Sequence, residues 1–377
     1  MGIAFLVLMV LGLGVSIAAH EAGHMYSAFM FKGKVRKFSV GFGPTLLKYT
    51  RKNTLYVFKL IPLYGYVNIS GMQSSDEDKE HPGVEFRDMS VWAKSVILLG
   101  GVTLNCILSI LLVIASFSFI GEQRGTSTVL EVGTCLNIAQ CSPTRDTPAH
   151  VAGLAKGDTI KSINNEQVDN WYDVKQALAS RSPGEMIEVS GERLNGDTFE
   201  VTVTLGNSPV HPGSAYLGAS PVRRAYKYSL RESVSRAGKQ IGQTTTLVMH
   251  YPEYIYSAFK GEGEVRLVGP VGLGRISSDI GEMDVSLTER LGTLLGLLAL
   301  MNASLMVFNL IPILPFDGGR LVGVWIGAGR KLLYSLFNKK YSGPVNNGVA
   351  NSISSLTLLL YVFSVLVLLV SDIVRPL

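Results

Sequence analysis

Two histidines and one glutamate lie close together near the start of the chain, in the run His20-Glu21-Ala22-Gly23-His24. Residues four apart share one face of a helix, so the two imidazoles can bind a single Zn²⁺. The glutamate between them would lie beside the water that such a metal binds. Zinc lowers the pKa of that water toward 7, and Glu21 can accept its proton while the water attacks a carbonyl group. The run therefore predicts metal-dependent hydrolysis, with Glu21 as the general base.

The alternative is that His20 and His24 are ordinary polar residues at the end of a helix. Their position disfavours this interpretation, because the run directly follows a long apolar stretch that carries no charge. Ionisable groups close to lipid are costly unless they pair with one another or have a function. We therefore expect both histidines to be metal ligands.

A catalytic zinc site has three protein ligands and one open position. The candidate third ligand is Asp317, which follows an apolar stretch interrupted by Pro312 and Pro315. Irregular backbone is tolerated at membrane depth only where it is buried in protein or lines a wet cavity. Taken alone, Asp317 would indicate a helix end with an Asp-Gly-Gly turn, but its predicted depth matches that of the histidines. We therefore predict that one Zn²⁺ per chain is bound by His20, His24 and Asp317.

The composition places this site in a membrane protein. Of 377 residues, 47% are apolar and 17% are charged, below the ~25% of soluble domains. A membrane-spanning helix needs about 20 apolar residues. A signal peptide at the N-terminus is disfavoured, because no Lys or Arg precedes the apolar stretch and the histidine run stands in place of a cleavage site. Four stretches qualify as spans: 2–19, 95–120, 291–316 and 352–370.

The basic residues predict the orientation. Eight Lys and Arg residues lie between positions 32 and 59, and five more between positions 320 and 340, where no acid occurs. Cytoplasmic loops are enriched in Lys and Arg, so both segments are predicted to be cytoplasmic, with residues 121–290 and both termini outside. The net charge of +5 fits this bias. Nucleic acid is not an expected partner, because no basic cluster is interleaved with aromatic residues.

Two further structural units are predicted from periodicity. Residues 129–205 indicate a small β-rich domain with short strands and two helices, one of them over 171–179. Residues 225–247 predict an amphipathic helix that lies on the membrane surface or packs on this domain. On the cytoplasmic side, a turn at 40–44 and strand-like runs at 55–61 and 66–69 predict a β-hairpin. This hairpin is either a passive cap or an edge strand for an extended peptide.

Three cysteines allow one disulfide. Cys106 lies inside an apolar run and is predicted to be a core residue. Cys135 and Cys141 flank a short loop, and they would form a disulfide if that loop is extracytoplasmic. Two unrelated thiols are the alternative.

Together, these motifs resemble the site-2 protease family of intramembrane zinc metalloproteases, in the bacterial branch that cleaves anti-sigma factors. The family's two histidines around a glutamate appear as His20, Glu21 and His24, and its Asn-Pro-Asp-Gly motif appears between Asn309 and Gly318. Residues 41–43 and 65–67 are similar to the family's membrane-reentrant hairpin. Residues 269–272 are similar to the segment before its third helix, and residues 129–206 resemble a single PDZ domain.

The sequence departs from the family pattern at two positions. Many relatives have Leu before the metal-binding Asp, where this chain has Phe316, and a Pro in the second helix is replaced by Val102. The missing proline puts the local shape of that helix in doubt, but not the metal site. The Phe-Asp-Gly form and the pair Cys135 and Cys141 resemble actinobacterial members most.

The resemblance implies that His20, His24 and Asp317 bind zinc and that Glu21 is the general base. It implies that a second group of residues contacts the substrate: Asn309, Gly41, Gly43, Tyr66 and Val67. The substrate would be a single-span membrane protein such as an anti-sigma factor, bound within the lipid bilayer. A helical peptide bond is shielded by its own hydrogen bonds, so the substrate must become extended, and the hairpin edge could pair with it.

The predicted fold is a polytopic α-helical membrane protein of about four transmembrane helices, with a membrane-associated β-hairpin and an inserted extracytoplasmic PDZ-like α+β domain. Its site would lie near the cytoplasmic side of the cell membrane. The predicted divisions are 1–25 (first helix), 26–94 (hairpin segment), 95–120 (second helix), 121–206 (PDZ-like domain), 207–290 (helical segment), 291–317 (third helix), 318–351 (cytoplasmic loop) and 352–371 (fourth helix).

Two other functions are compatible with parts of the sequence. A catalytically silent membrane scaffold with a peptide-binding domain would need neither Glu21 nor Asp317. A zinc protease for misfolded proteins would usually take its third ligand from a Glu on a soluble helix, and not from a proline-interrupted span. The joint presence of Glu21 and Asp317 favours the intramembrane protease.

Overall fold

A computed structural model describes residues 1–72, 83–133, 147–208, 213–260, 267–337 and 347–374. The chain divides into two units. The first consists of Met1–Ile120 and Tyr228–Leu377, and the second of Gly121–Lys227. The first unit begins with helix α1 (Gly2–Met30), strands β1 (Val35–Arg51) and β2 (Thr54–Ile69), and helix α2 (Val91–Ile114), which continues as a π-helical segment over Ala115–Ile120.

Helix α1 is longer than the predicted span. It contains no proline, and it continues for six residues beyond His24 to Met30. At 1.5 Å per residue, its 29 residues extend about 43 Å, close to the thickness of a bilayer with its headgroups. The histidine run therefore lies inside the last third of the helix and not at its end.

Strands β1 and β2 form a hairpin that folds back on itself. Residues 37–40 pair on one side with 65–68 and on the other side with 55–58. Residues 55–58 also pair with 47–50, so the four segments lie in the order 65–68, 37–40, 55–58, 47–50. The predicted strands are present, but this arrangement leaves residues 65–68 as one edge of the sheet.

The hairpin lies against the middle of α1. A side chain at Gly14 would collide with Pro62, with a Cβ to Cβ distance of 2.6 Å. A side chain at Gly65 would lie 2.8 Å from Cγ2 of Ile17. These two glycines let β2 run in direct contact with the helix. Gly14 is about 18 Å along α1 from Gly2, so this contact lies near the middle of the helix.

The second unit is a β domain. Its elements are β3 (Glu122–Val132), α3 (Pro148–Val151), β4 (Thr159–Ile163), β5 (Glu166–Gln167), α4 (Trp171–Ala179), β6 (Met186–Glu192), β7 (Thr198–Thr204), β8 (Gly206–Asn207), β9 (Ala215–Tyr216) and β10 (Ala219–Tyr226). The main sheet has the order β10-β3-β4-β6-β7, and β5 pairs with β4. An Asn170–Asp173 capping box starts α4, at the position predicted for a helix.

The β domain extends further along the chain than predicted. Strand β10 pairs with β3, so the compact unit continues to Lys227 and not only to the predicted boundary at 206. Cys135 and Cys141 lie outside the described residues, so their disulfide stays a prediction.

The rest of the first unit is helical. It comprises α5 (Leu230–Met249), α6 (Tyr251–Lys260), α7 (Pro270–Glu282), α8 (Leu287–Leu310), α9 (Asp317–Leu336) and α10 (Asn347–Val374). Helix α5 corresponds to the predicted amphipathic helix. The third span was predicted to reach residue 317, but α8 ends at Leu310, because Pro312 and Pro315 cannot continue a helix. The predicted loop 318–351 is also different, since much of it forms α9.

Four helices in the described chain are long and apolar enough to cross a membrane, as predicted. They are α1, α2 with its π-helical end, α8 and α10. Only 6% of the most apolar stretch of 18 residues in α10 is buried, against 44% of the corresponding stretches in α2 and α8. Helix α10 therefore lies at the edge of the unit. The site described below is built on α1, α2, α8 and the start of α9.

Candidate metal centre

Three glycines bring α1 and α2 together at the histidines. A Cβ on Gly23 would lie 2.2 Å from the carbonyl oxygen of Gly100, so the two backbones touch. A Cβ on Gly101 would lie 2.6 Å from Nε2 of His24 and 2.7 Å from Cε1 of His20. The absence of a side chain at position 101 therefore provides the space that the two imidazoles occupy.

Helix α2 also orients both rings. Nδ1 of His24 lies 2.8 Å from the carbonyl oxygen of Ile97, to which it can only donate a hydrogen bond. The lone pair of His24 is then on Nε2. Nδ1 of His20 lies 3.3 Å from the side-chain amide of Asn105, whose Oδ1 is buried without a hydrogen-bond partner. Turning this amide satisfies both groups, because Oδ1 then accepts from Nδ1–H and leaves Nε2 of His20 free to bind a metal.

Asp317 reaches the histidines from the first turn of α9. Two glycines follow it, and the loop from α8 folds tightly over them. A Cβ on Gly318 would lie 2.4 Å from the carbonyl oxygen of Leu310, and a Cβ on Gly319 would lie 2.3 Å from the carbonyl carbon of Ile313. The Asp-Gly-Gly sequence thus lets an irregular, buried loop place one carboxylate beside α1. The structure differs from the prediction in assigning Asp317 to α9 and not to the end of the third span.

The three predicted ligands meet at one point. Oδ2 of Asp317 lies 3.2 Å from Nε2 of His20 and 3.1 Å from Nε2 of His24, and the two Nε2 atoms are 3.2 Å apart. Tetrahedral Zn²⁺ with bonds of about 2.0 Å to nitrogen and oxygen requires ligand separations of about 3.3 Å. Oδ2 of Asp317 is buried and has no hydrogen-bond partner. Two imidazole lone pairs and one carboxylate oxygen at these distances fit zinc, which leaves a fourth position open.

A cavity of about 400 Å³ lies next to the three ligands. Glu21 lines it, and a Cβ on Gly65 would lie 3.0 Å from Cγ of Glu21, so this side chain packs directly against β2. Of the predicted substrate-binding residues, Asn309, Tyr66 and Val67 also line this cavity, whereas Gly41 and Gly43 do not. Both of these glycines have positive φ, and a Cβ on Gly41 would lie 2.8 Å from the carbonyl oxygen of Lys59. Both glycines therefore suit the bend of the hairpin, and their contact with a substrate stays a prediction.

Sequence reasoning did not assign roles to three residues of the site. Asn105 lies within the predicted second span and was given no role, although an amide within an apolar helix signals a polar contact, and Asn105 is fully buried. Gly101 gave no signal, because its role depends on the packing of α1 against α2. Arg320 lines the cavity and was counted only as a loop charge. It lies three residues after Asp317, on the same side of α9.

A bundle of apolar helices around a His-His-Asp centre, with a glutamate beside it, defines a metal-dependent hydrolase of the membrane. The comparison with protein families agrees. The chain belongs to peptidase family M50, whose model matches residues 8–350.

Two curated relatives are zinc metalloproteases named Rip1. The Rip1 of Mycolicibacterium smegmatis is 28% identical, over 99% of this chain and 98% of its own. The Rip1 of Mycobacterium tuberculosis H37Rv is 26% identical, over 98% and 97%. Family membership and the ligand geometry together make this chain a zinc metalloprotease. The prediction of the enzyme class and of its Zn²⁺ cofactor is confirmed.

Among solved structures, the chain is similar to the PDZ domain of an SdrC-like protein from Listeria monocytogenes. The match has 14% identity and a TM-score of 0.19, and it covers 27% of this chain and 88% of that one. A score this low assigns no fold, so the PDZ character of the β domain stays a prediction.

Proposed function

We propose that this protease cleaves single-span membrane proteins within or near their transmembrane segment. The position of the metal ligands supports this. His20 lies about 27 Å along α1 from Gly2 and about 15 Å before Met30. A bilayer with its headgroups is about 40–45 Å thick. Ligands at this position on a spanning helix are within the depth that lipid covers, where the substrate is another membrane-spanning segment.

The residues of the site have distinct proposed roles. His20, His24 and Asp317 would hold Zn²⁺, which when bound polarises a carbonyl group and acidifies water. Glu21 accepts the proton of the attacking water and lines the same cavity as the three ligands. Asn309 donates one amide hydrogen to the carbonyl oxygen of Leu305 at 2.9 Å. Its second amide hydrogen can orient the substrate backbone.

The observation that carries the proposal is the edge strand beside the metal centre. Residues 65–68 pair with 37–40 on one side only, and in the described chain no strand pairs with their other side. Residues 65–68 line the cavity together with Glu21 and the three ligands. A peptide unwound from its helix could pair with this edge, which would satisfy its backbone and present it to the site.

The substrate type and the orientation belong to the same proposal. The end of α1 is followed by Lys32, Lys34 and Arg36, so this end is proposed to be cytoplasmic. The β domain Gly121–Lys227 is then extracytoplasmic. The resemblance to the anti-sigma-cleaving branch favours anti-sigma factors as substrates and a role in regulated intramembrane proteolysis.

The edge strand can be tested at one backbone group. Val67→Pro removes one backbone N–H of the edge strand 65–68, while Val67→Ala keeps it and only shortens the side chain. Each variant would be reconstituted in proteoliposomes with a single-span substrate. We expect Val67→Pro to lose at least about 100-fold in cleavage rate and Val67→Ala to lose less than about threefold, both with one bound zinc per chain.

Mapping the products by mass spectrometry tests the substrate class separately. Cleavage inside the apolar segment supports the intramembrane site. Cleavage restricted to soluble parts of the substrate would reject it. Equal activity of Val67→Pro and Val67→Ala would reject strand pairing while leaving the protease assignment intact.

A further inference from the structure

A second cavity, of about 660 Å³, lies at the C-terminal end of α1. It shares no lining residue with the cavity of the metal centre. Its walls come from the end of α1, the start of β1 and the turn between β1 and β2. Three cationic side chains line it, and among the described residues no acidic side chain does. These cations are Lys32, Arg51 and Lys52.

Lys32 lies in a position that normally requires glycine. Helix α1 ends in a Schellman motif, in which the N–H of Lys32 donates to the carbonyl oxygen of Phe29 and the N–H of Gly33 donates to that of Ala28. The residue after the C-cap of such a motif has a left-handed backbone and is usually Gly. Here it is Lys32, with φ of 54°.

Lys52 shows the same exception in the turn of the hairpin. Arg51 pairs with Thr54, so Lys52 and Asn53 form a two-residue loop, with φ of 46° and 65°. Two positive φ values define a type I′ turn, whose first position favours Asn, Asp or Gly. A lysine at this position adopts an unfavourable backbone conformation.

These two lysines are exceptional in the described chain. Every other described residue with positive φ is Gly or Asn. Unfavourable backbone conformations are concentrated at functional sites, where the side chain is needed at one particular point. Both lysines line the same cavity, which indicates that positive charge is required there.

The cavity is framed by fixed contacts. The hydroxyl of Thr54, a buried residue, donates to the carbonyl oxygen of Val35 at 2.8 Å and ties the turn to the start of β1. Tyr26 and Phe29 form the side toward α1 and are 60% and 40% exposed. Aromatic residues with this exposure at the end of a spanning helix are typical of the membrane interface. In a membrane-spanning α1 this end lies at the headgroup layer, which would put the aromatic walls toward the acyl chains and the cations toward the phosphates.

We propose that this cavity binds the headgroup of an anionic phospholipid, with Lys32, Arg51 and Lys52 around its phosphate and Tyr26 and Phe29 against its upper acyl chains. Because the cavity joins the end of α1 to the turn of the hairpin, a bound lipid would brace these two elements. Lipid binding at this cavity is independent of the substrate proposed above.

The test measures lipid retention by the full-length protein. Protein in detergent is mixed with phosphatidylglycerol or phosphatidylcholine, and bound lipid is counted by native mass spectrometry. We expect phosphatidylglycerol to be retained preferentially. Replacing both lysines, as Lys32→Gly with Lys52→Gly, should weaken its retention about thirtyfold, because two charges at the surface are lost. The melting temperature should be unchanged or higher, since glycine suits both backbone positions.

Control variants separate charge from structure. Lys32→Arg with Lys52→Arg keeps both charges and should retain phosphatidylglycerol. Lys48→Gln removes an exposed charge from β1 outside the cavity and should change nothing. Equal retention of the two lipids, or wild-type retention by the double glycine variant, would overturn the proposal. Displacement of phosphatidylglycerol by equimolar glycerol 1-phosphate would also overturn it, because the cavity would then bind free phosphate esters.

Discussion

In the β domain, the large apolar side chains point inward. Val129, Ile160 and Ile187 are at most 1% exposed and form one core. In the helices of the other unit, many large apolar side chains point outward, and Leu111 and Leu359 are 55% and 65% exposed. These helices also bury small and polar side chains. Ser16, His20, His24, Asn105, Ser109 and Asn302 are all less than 10% exposed.

The contrast follows from the two solvents. In water, burying apolar surface stabilises a fold. In lipid it contributes little between helices, which instead associate through close packing, small residues and hydrogen bonds. The hydroxyl of Ser109 donates to the carbonyl oxygen of Ala299, and the amide of Asn302 donates to Ser16, both at 2.9 Å. The polar interior of the helices is thus available for a catalytic site, whereas the apolar interior of the β domain serves its stability.

The largest expected effect is at the buried polar site. Glu21→Gln is nearly isosteric and cannot accept a proton, so we expect a loss of cleavage of at least about 1000-fold with unchanged zinc content and folding. His20→Ala is the matched control, since it should lose both activity and zinc. Zinc analysis and product detection measure both effects. Turnover near wild type in Glu21→Gln would end its assignment as the general base.

The metal ligands could be predicted because their signal is local or is tied to a span. His20 and His24 are four residues apart in a helix, and Asp317 follows an apolar stretch with prolines. The assignment of Asp317 to its own helix could not be predicted in the same way. Arg320 and the later basic residues of α9 indicated a cytoplasmic loop, and this charge signal outweighed the helical periodicity of residues 317–336.

In the hairpin and the β domain, the sequence predicted strands but did not predict how they pair. The runs over 55–61 and 66–69 indicated strands, but periodicity does not show which segments pair. Residues 37–40 pair on both sides, and this depends on non-local contacts with α1 through Gly14 and Gly65. Strand β10 was not predicted because its second half is exposed and polar and contains the adjacent residues Arg223 and Arg224.

The comparison between the units can also be tested by matched truncations. Ile187→Ala in the β domain creates a cavity in a packed core and should cost about 2–5 kcal/mol of that unit's stability. Leu359→Ala on the outer face of α10 should cost less than about 1 kcal/mol, because this side chain is 65% exposed and little packing is lost. Pulse proteolysis of the full-length protein measures both. An equal or reversed order would contradict the assignment of these two environments.

A smaller effect than the loss of cleavage is expected at the contact between Asn105 and His20. We expect Asn105→Leu to weaken zinc binding about 10–100-fold, because the apolar side chain cannot accept the hydrogen bond from Nδ1–H that orients the His20 ring. Asn302→Leu is the matched control. Asn302 is equally buried and also has an unpartnered Oδ1, but it contacts Ser16 and no metal ligand. Competition with a chelator gives both dissociation constants.

Asn105→Asp then distinguishes the two orientations of the Asn105 amide. If Oδ1 faces the ring, a carboxylate at this position accepts the same hydrogen bond and zinc stays bound. If the amide nitrogen faced the ring, Nδ1 of His20 would need to carry the lone pair and Nε2 the hydrogen, and Nε2 could not bind metal. Zinc binding by Asn105→Asp as tight as in the wild type, together with weak binding by Asn105→Leu, therefore supports an acceptor at position 105. Equal zinc affinities of Asn105→Leu and Asn302→Leu would show that a buried amide at this depth only packs the helices.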